Sequence, residues 1–242
     1  MPKVLLVAQD KGGSGKSLIV RGLAECLPTA PLIEIEASHR LVELDERLDF
    51  YPVRADRSEI DRTGGAAARA EFDGVLNRIA AAKEPTIVDV GANTSSALLP
   101  LLAAANDRFA KRSVKFAVLA IATAEPGAIA NVPDLLALAR RFASALFVVE
   151  NRVENVVDPK LLKALGEDVV VSVLEKLALD EHANGLLQKG GLAFIADELA
   201  QAEDNLVERF GFAEAGRIVA DLTAFRAAVM AAAAPAARWL EG

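Results

Sequence analysis

The chain has 242 residues, 52% hydrophobic and 25% charged, which suits one large α/β domain with a sizeable core. A formal net charge of −7 disfavours tight, purely electrostatic binding of nucleic acid. The single cysteine, Cys26, excludes an internal disulfide, argues against an iron–sulfur or zinc centre, and fits a reducing cytoplasm.

In chain order, Val4–Ala8 is an uninterrupted apolar run, read as a strand buried on both faces. Met1-Pro2-Lys3 leads into it without a signal-peptide pattern. The loop Lys11–Ser17 follows, and Leu18, Ile19, Val20, Leu23, Ala24 and Leu27 then recur at the spacing of a helix's inner side. Pro31–Glu36 reads as a second strand, Leu41–Leu48 as helical, and Asp49–Val53 as a short strand. A charged loop over Arg54–Thr63 and the pair Gly64-Gly65 precede an amphipathic helix over Ala66–Ala82. Pro85–Gly91 is a buried strand, followed by a helix over Ser95–Asn106 and a strand over Val114–Ala122. Glu125-Pro126-Gly127 opens a helix reaching about Phe142; Leu146–Val149 and Val169–Val173 are the last strands.

From Asp180 on the pattern is helical with small loops, and Ala231–Ala234 before Pro235 reads as the fraying end of a helix. That alternation implies an α/β fold, a doubly wound, mostly parallel sheet flanked by helices. No linker divides the chain, so one domain over 1–242 is expected, with a helical C-terminal part from about 180. The apolar stretch Phe116–Ala124 is too short to cross a bilayer, and the Ala-rich run lacks a basic amphipathic face. A soluble, cytoplasmic protein without membrane binding is expected. His39 and His182 stand apart and read as surface or capping residues rather than metal ligands.

The loop Lys11-Gly12-Gly13-Ser14-Gly15-Lys16-Ser17 carries the chemistry. Three glycines let backbone N–H groups turn inward and approach a phosphate that side chains would keep away. The helix that follows aims its unpaired N–H groups and positive dipole end at the same anion. Lys16 supplies a charge for the β- and γ-phosphates, and the Ser17 hydroxyl is a hard ligand suited to Mg²⁺. The pattern is therefore a P-loop for a nucleoside triphosphate. Asp10 stands where the general motif G-x-x-x-x-G-K-S/T needs its first glycine.

What matches instead is K-G-G-x-G-K-S/T, opened by Lys11, and in this the chain resembles the ParA/MinD family of deviant Walker A ATPases. The resemblance runs from Val4 to about Val173. It implies ATP and Mg²⁺ as cofactors, with Lys11, Gly12, Gly13, Ser14, Gly15, Lys16, Ser17 and Leu18 around the phosphates. It gives Lys11 the task of reaching the partner's nucleotide across a dimer. Asp89, closing the strand TIVDVG, takes the Walker B position, so that Ser17 and Asp89 form the metal side. Glu36 stands where the family has an aspartate that orients the attacking water; the extra methylene moves the water's place and implies slow turnover. Asn151, in Phe147–Arg152, matches the family's adenine-reading asparagine, with Arg152 beside it.

The function so implied is an ATP-dependent dimerisation switch with slow, Mg-dependent hydrolysis stimulated by a partner protein. Family members partition plasmids or chromosomes, position division sites, or serve plasmid transfer. DNA contact, if made, is expected to be weak, non-specific and dimer-dependent, through Arg140-Arg141 with Arg152, or Arg209 with Arg217. Two other readings compete. A small-molecule ligase of the dethiobiotin-synthetase type shares the fold but lacks the opening lysine. A nucleotide-gated binding module with little hydrolysis is suggested by Asp10 and by Glu36 in place of aspartate.

Overall fold

The run KVLLVA forms the central strand β1 (Lys3–Ala8) of a computed structural model that describes residues 1–53, 70–153, 155–198 and 203–242. Its side chains enter two separate cores. Val4, Leu6 and Ala8 face one and Leu5 and Val7 the other, which is why the run shows no polar alternation. The other strands are β2 (Leu32–Glu36), β3 (Leu48–Pro52), β4 (Thr86–Val90), β5 (Lys115–Ala122), β6 (Ala143–Asn151) and β7 (Val169–Leu174). All pair in parallel, in the order β3-β2-β4-β1-β5-β6-β7. From β1 the chain runs outward to β2 and β3, returns to β4, then crosses to β5. The strand order therefore reverses around β1, the place where open α/β sheets bind ligands beyond their carboxyl ends.

The helices are α1 (Lys16–Cys26), α2 (Asp73–Ala80), α3 (Ser95–Ala104), α4 (Asn106–Lys111), α5 (Pro126–Ala139), α6 (Pro159–Ala164), α7 (Glu181–Glu198), α8 (Glu203–Phe210) and α9 (Phe212–Glu241). Val75 and Ile79 of α2, Leu98 and Leu102 of α3, Phe109 of α4 and Val132 and Leu136 of α5 fill one core. Ile19 and Leu23 of α1, Ala183 of α7 and Ile218, Leu222 and Val229 of α9 fill the other. The fold is α/β and doubly wound, as the alternation predicts, with every described strand parallel.

Two expectations are corrected. The segment expected as a helix over Leu41–Leu48 is a 3-10 turn, Val42–Arg47, with no buried side chain to hold an α-helical face. Its anchor is Arg47, whose guanidinium donates to the carbonyls of Ala24, Leu27 and Ala30 and so covers the open end of α1. The Ala-rich run does not fray. Ala232, Ala233, Ala236 and Ala237 are buried, and α9 continues through Pro235. Proline removes the N–H that would bond Ala231 O; α9 is also tied to β7 at this level, Ser172 Oγ donating to Ala232 O at 2.7 Å. By length and composition α9 is apolar enough to cross a membrane; it also buries one stripe against α1 and the sheet, as a core helix does. The charged loop Arg54–Thr63 and the start of the helix expected from Ala66 lie outside the described residues.

Small residues set how closely α9 approaches α1. A Cβ on Gly22 would lie 2.7 Å from Val229 Cγ1 and 3.1 Å from Val229 O, so the helices meet nearly backbone to backbone. Gly22→Val should therefore destabilise the fold by about 2 kcal/mol through overpacking. Urea unfolding should show a lower midpoint with an unchanged slope; an unmoved midpoint would mean the crossing has slack.

Candidate functional site

The site is built where β1 ends. Gln9, fully buried, donates through Nε2 to the carbonyls of Ile121 (2.5 Å) and Ala128 (3.2 Å), and its Oε1 accepts the Lys11 N–H (3.1 Å). It thereby fastens the start of the glycine-rich loop to the end of β5 and the start of α5. Asp10 fastens it on the other side: its Oδ1 accepts the Ser95 N–H at 3.0 Å, and its carbonyl accepts the Asn93 N–H at 3.3 Å. The residue that departs from the general motif is thus a brace between the loop and the head of α3.

Gly13 and Gly15 have φ of 78° and 91°, the left-handed region open to glycine, so the loop can fold back over the start of α1. A Cβ on Gly12 or Gly13 would meet nothing within 4 Å, whereas one on Gly15 would lie 2.3 Å from Asn151 Nδ2. The loop is therefore open above and supported below. Asn151, buried, supplies that support by donating to Ser14 O at 2.9 Å. The cleft over the loop measures about 230 Å³ and is lined by Lys11 to Leu18, with Glu36, Arg40 and Ala92 closing its β2–β4 side.

On its floor lies the pair that joins β4 to α1. Lys16 Nζ is 2.5 Å from Asp89 Oδ1 and Ser17 Oγ donates to Asp89 Oδ2 at 3.1 Å. Lys16 and Asp89 are only 8% and 3% exposed. Glu36 ends β2 nearby, its Oε1 accepting the Ala37 N–H at 3.0 Å and its Oε2 4.0 Å from Arg40 Nε. Gly91 makes this proximity possible, since a Cβ there would stand 2.4 Å from Ile35 O and 3.1 Å from Glu36 Cδ. Lys11 reaches away from the floor to Glu125 Oε1 at 2.8 Å, both side chains being about half exposed.

The residues fit the groups the loop implies. Ser14 Oγ is buried and without a partner, beside bare glycine backbone, as a loop awaiting an anion would leave it. Ser17 Oγ and the Asp89 carboxylate put hard oxygens side by side. No cluster of three metal-ligating side chains occurs among the described residues. A magnesium ion held by one or two side chains, with phosphate and water oxygens completing its shell, suits this donor set.

The structure brings together Lys11 through Leu18, Glu36 and Asp89, and sets Asn151 directly beneath the loop. Arg152 is placed elsewhere: it donates to Glu150 (2.9 Å) and Glu175 (2.5 Å). Arg140 is likewise held by Asp168 and the Leu165 carbonyl, so two of the arginines expected to meet DNA are engaged with acids. Two residues at the site escape sequence reading. Gln9 has one sign, a long polar side chain directly after a buried strand; Arg40 has none, because its place depends on how the chain turns after β2.

No family model matches the chain, and no curated protein does. Solved structures similar to it include the MinC:MinD cell division protein complex of Aquifex aeolicus, at 12% identity and TM-score 0.45, over 93% of this chain and 96% of that one. The Cyanothece McdA–ATP complex is similar at 14% identity and TM-score 0.43, over 94% and 96%. The residue placements above rest on the site's own geometry.

His39 stands behind β2, its ring held between the carboxylates of Glu34 and Asp45 and stacked on Phe50 at 4.9 Å. The hydrogen bond to Glu34, then that to Asp45, raises its pKa above the ordinary value near 6.5. With the folded value raised, the imidazolium's stabilisation is fully present below about pH 6.5 and lost as pH rises through the folded pKa. His39→Gln should therefore lower the unfolding midpoint more at about pH 5.5 than at about pH 9. A difference that widens with rising pH would remove the imidazolium from this clamp.

Proposed function

We propose that this chain is a ParA/MinD-type ATPase, an ATP-dependent dimerisation switch with slow, Mg-dependent hydrolysis. The observation that carries the reading is the convergence of Lys16 and Ser17 on Asp89 at the floor of an open glycine loop. Lys16 has three donors, so it can keep one on Asp89 and turn the others to β- and γ-phosphate oxygens. Ser17 and Asp89 would hold Mg²⁺, which would supply positive charge to offset what develops on the phosphates. Glu36, at the cleft wall, would orient the attacking water. Asn151 keeps its oxygen and a second N–H for the adenine edge while it supports Ser14 O.

Lys11 is the residue that favours this reading over a small-molecule ligase. Its ammonium pairs with Glu125 and is half exposed, and on this reading it would reach the phosphates of a second copy. The reading places the protein in partition or positioning of plasmids, chromosomes or other cargo, or in plasmid transfer, through a partner that stimulates hydrolysis. Any DNA contact would fall to the paired dimer. The binding-module reading draws on Glu36, whose carboxylate is tied to its own loop and to Arg40; single-turnover hydrolysis with and without a partner separates the two.

Lys16→Ala should lose ATP affinity by at least tenfold in calorimetric titration with Mg²⁺, since the phosphates lose their main charge-assisted donor. Unchanged affinity removes the phosphate-loop reading. Lys11→Ala should bind ATP normally yet fail to dimerise or turn over, and light scattering with ATP reads this directly. Normal dimerisation would return Lys11 to a solvated loop residue.

A further inference from the structure

Arg40 combines a fixed backbone with a free head. Its N–H donates to Glu34 Oε1 at 2.9 Å, and its carbonyl accepts from Arg21 Nη2 at 3.0 Å. Glu34 is fully buried and its other oxygen takes His39; Arg21 is itself braced by Glu43. Four side chains that do not line the cleft thus serve to hold the backbone of one that does. The guanidinium, by contrast, is 56% exposed, and its one described partner is Glu36 Oε2 at 4.0 Å, the outer limit of an ion pair. Burying Glu34 is costly, because a carboxylate withdrawn from water needs compensation, and His39 with the Arg40 N–H supplies it.

We infer that Arg40 contacts the terminal phosphate of the bound nucleotide and sets the preference for a triphosphate over a diphosphate. The inference rests on the phosphate-loop reading and adds a residue to it. A guanidinium offers a planar fork that matches phosphate oxygens in pairs. The need for it lies in Glu36, a carboxylate in the same cleft, which repels a triphosphate more than a diphosphate because the former carries more charge near the wall. Arg40, beside Glu36, offsets that repulsion and donates to the added oxygens. Lys16 and the loop N–H groups serve the phosphates at the floor whichever nucleotide is present. Arg40 therefore acts on the difference between the two ligands.

The test measures ATP and ADP affinities of the full chain with Mg²⁺ by calorimetry for the wild type, Arg40→Ala, Arg40→Lys and Lys16→Ala. Arg40→Ala should lower the ratio of ATP to ADP affinity by roughly tenfold to a hundredfold, the effect of losing one charge-assisted hydrogen bond. Arg40→Lys, which keeps the charge and loses the fork, should recover part of that ratio. A general folding defect would weaken both nucleotides together and leave the ratio unmoved. An unchanged ratio in Arg40→Ala, with both nucleotides lost in Lys16→Ala, overturns the role of Arg40 and leaves the loop standing. Full ATP binding by Lys16→Ala overturns both.

Discussion

The structure depends on the buried pairing of Lys16 with Asp89. An ammonium and a carboxylate taken out of water each carry a desolvation penalty of several kcal/mol, so neither is tolerable without the other. Asp89 stands beside Val7 in the parallel register of β4 with β1, and Lys16 opens the helix that follows β1. Satisfying the pair therefore fixes three things together: the β1–β4 register, the start of α1 and the path of the loop between them. Ser17 joins the same carboxylate, so that the last two polar residues of the loop point at one acid. The chemistry of the site and the stability of the sheet's centre are the same interaction.

Around that pair, the loop is positioned from outside. Gln9 ties its first turn to β5 and α5, Asp10 ties it to α3, and Asn151 holds Ser14 from beneath. The braces come from two strand ends, Gln9 and Asp10 after β1 and Asn151 at the close of β6, which lie near the switch point of the parallel sheet. A loop rich in glycine has large freedom when unfolded, and restricting it beforehand lowers the ordering cost of binding.

The parts legible in the sequence were those whose cause is local. Glycines, lysines and a serine within seven residues name their own chemistry, and buried parallel strands announce themselves as unbroken apolar runs. What escaped reading depends on distant neighbours. Arg40 lines the cleft only because Glu34, two residues before the end of β2, turns its carboxylate back to the following loop. The alanines near Pro235 looked like a weak helix end because alanine contributes little surface. They are nonetheless buried in the second core, which no local pattern records. The 3-10 turn at Val42–Arg47 escaped for the opposite reason: an apolar spacing was present, but within the turn only Leu44 packs against the core, and only in part.

The close crossing at Gly22 and Val229 has a mechanical meaning. One end of α1 is the lip of the cleft over the glycine loop, and its flank rests on the backbone of α9. Close-packed interfaces are nearly incompressible, so they transmit a displacement rather than absorb it. A shift of α1 along its axis as its first turn takes up charge would carry α9 with it, as two gears meshed without backlash. The helix α9, which contributes no residue to the cleft, is in that sense mechanically part of it.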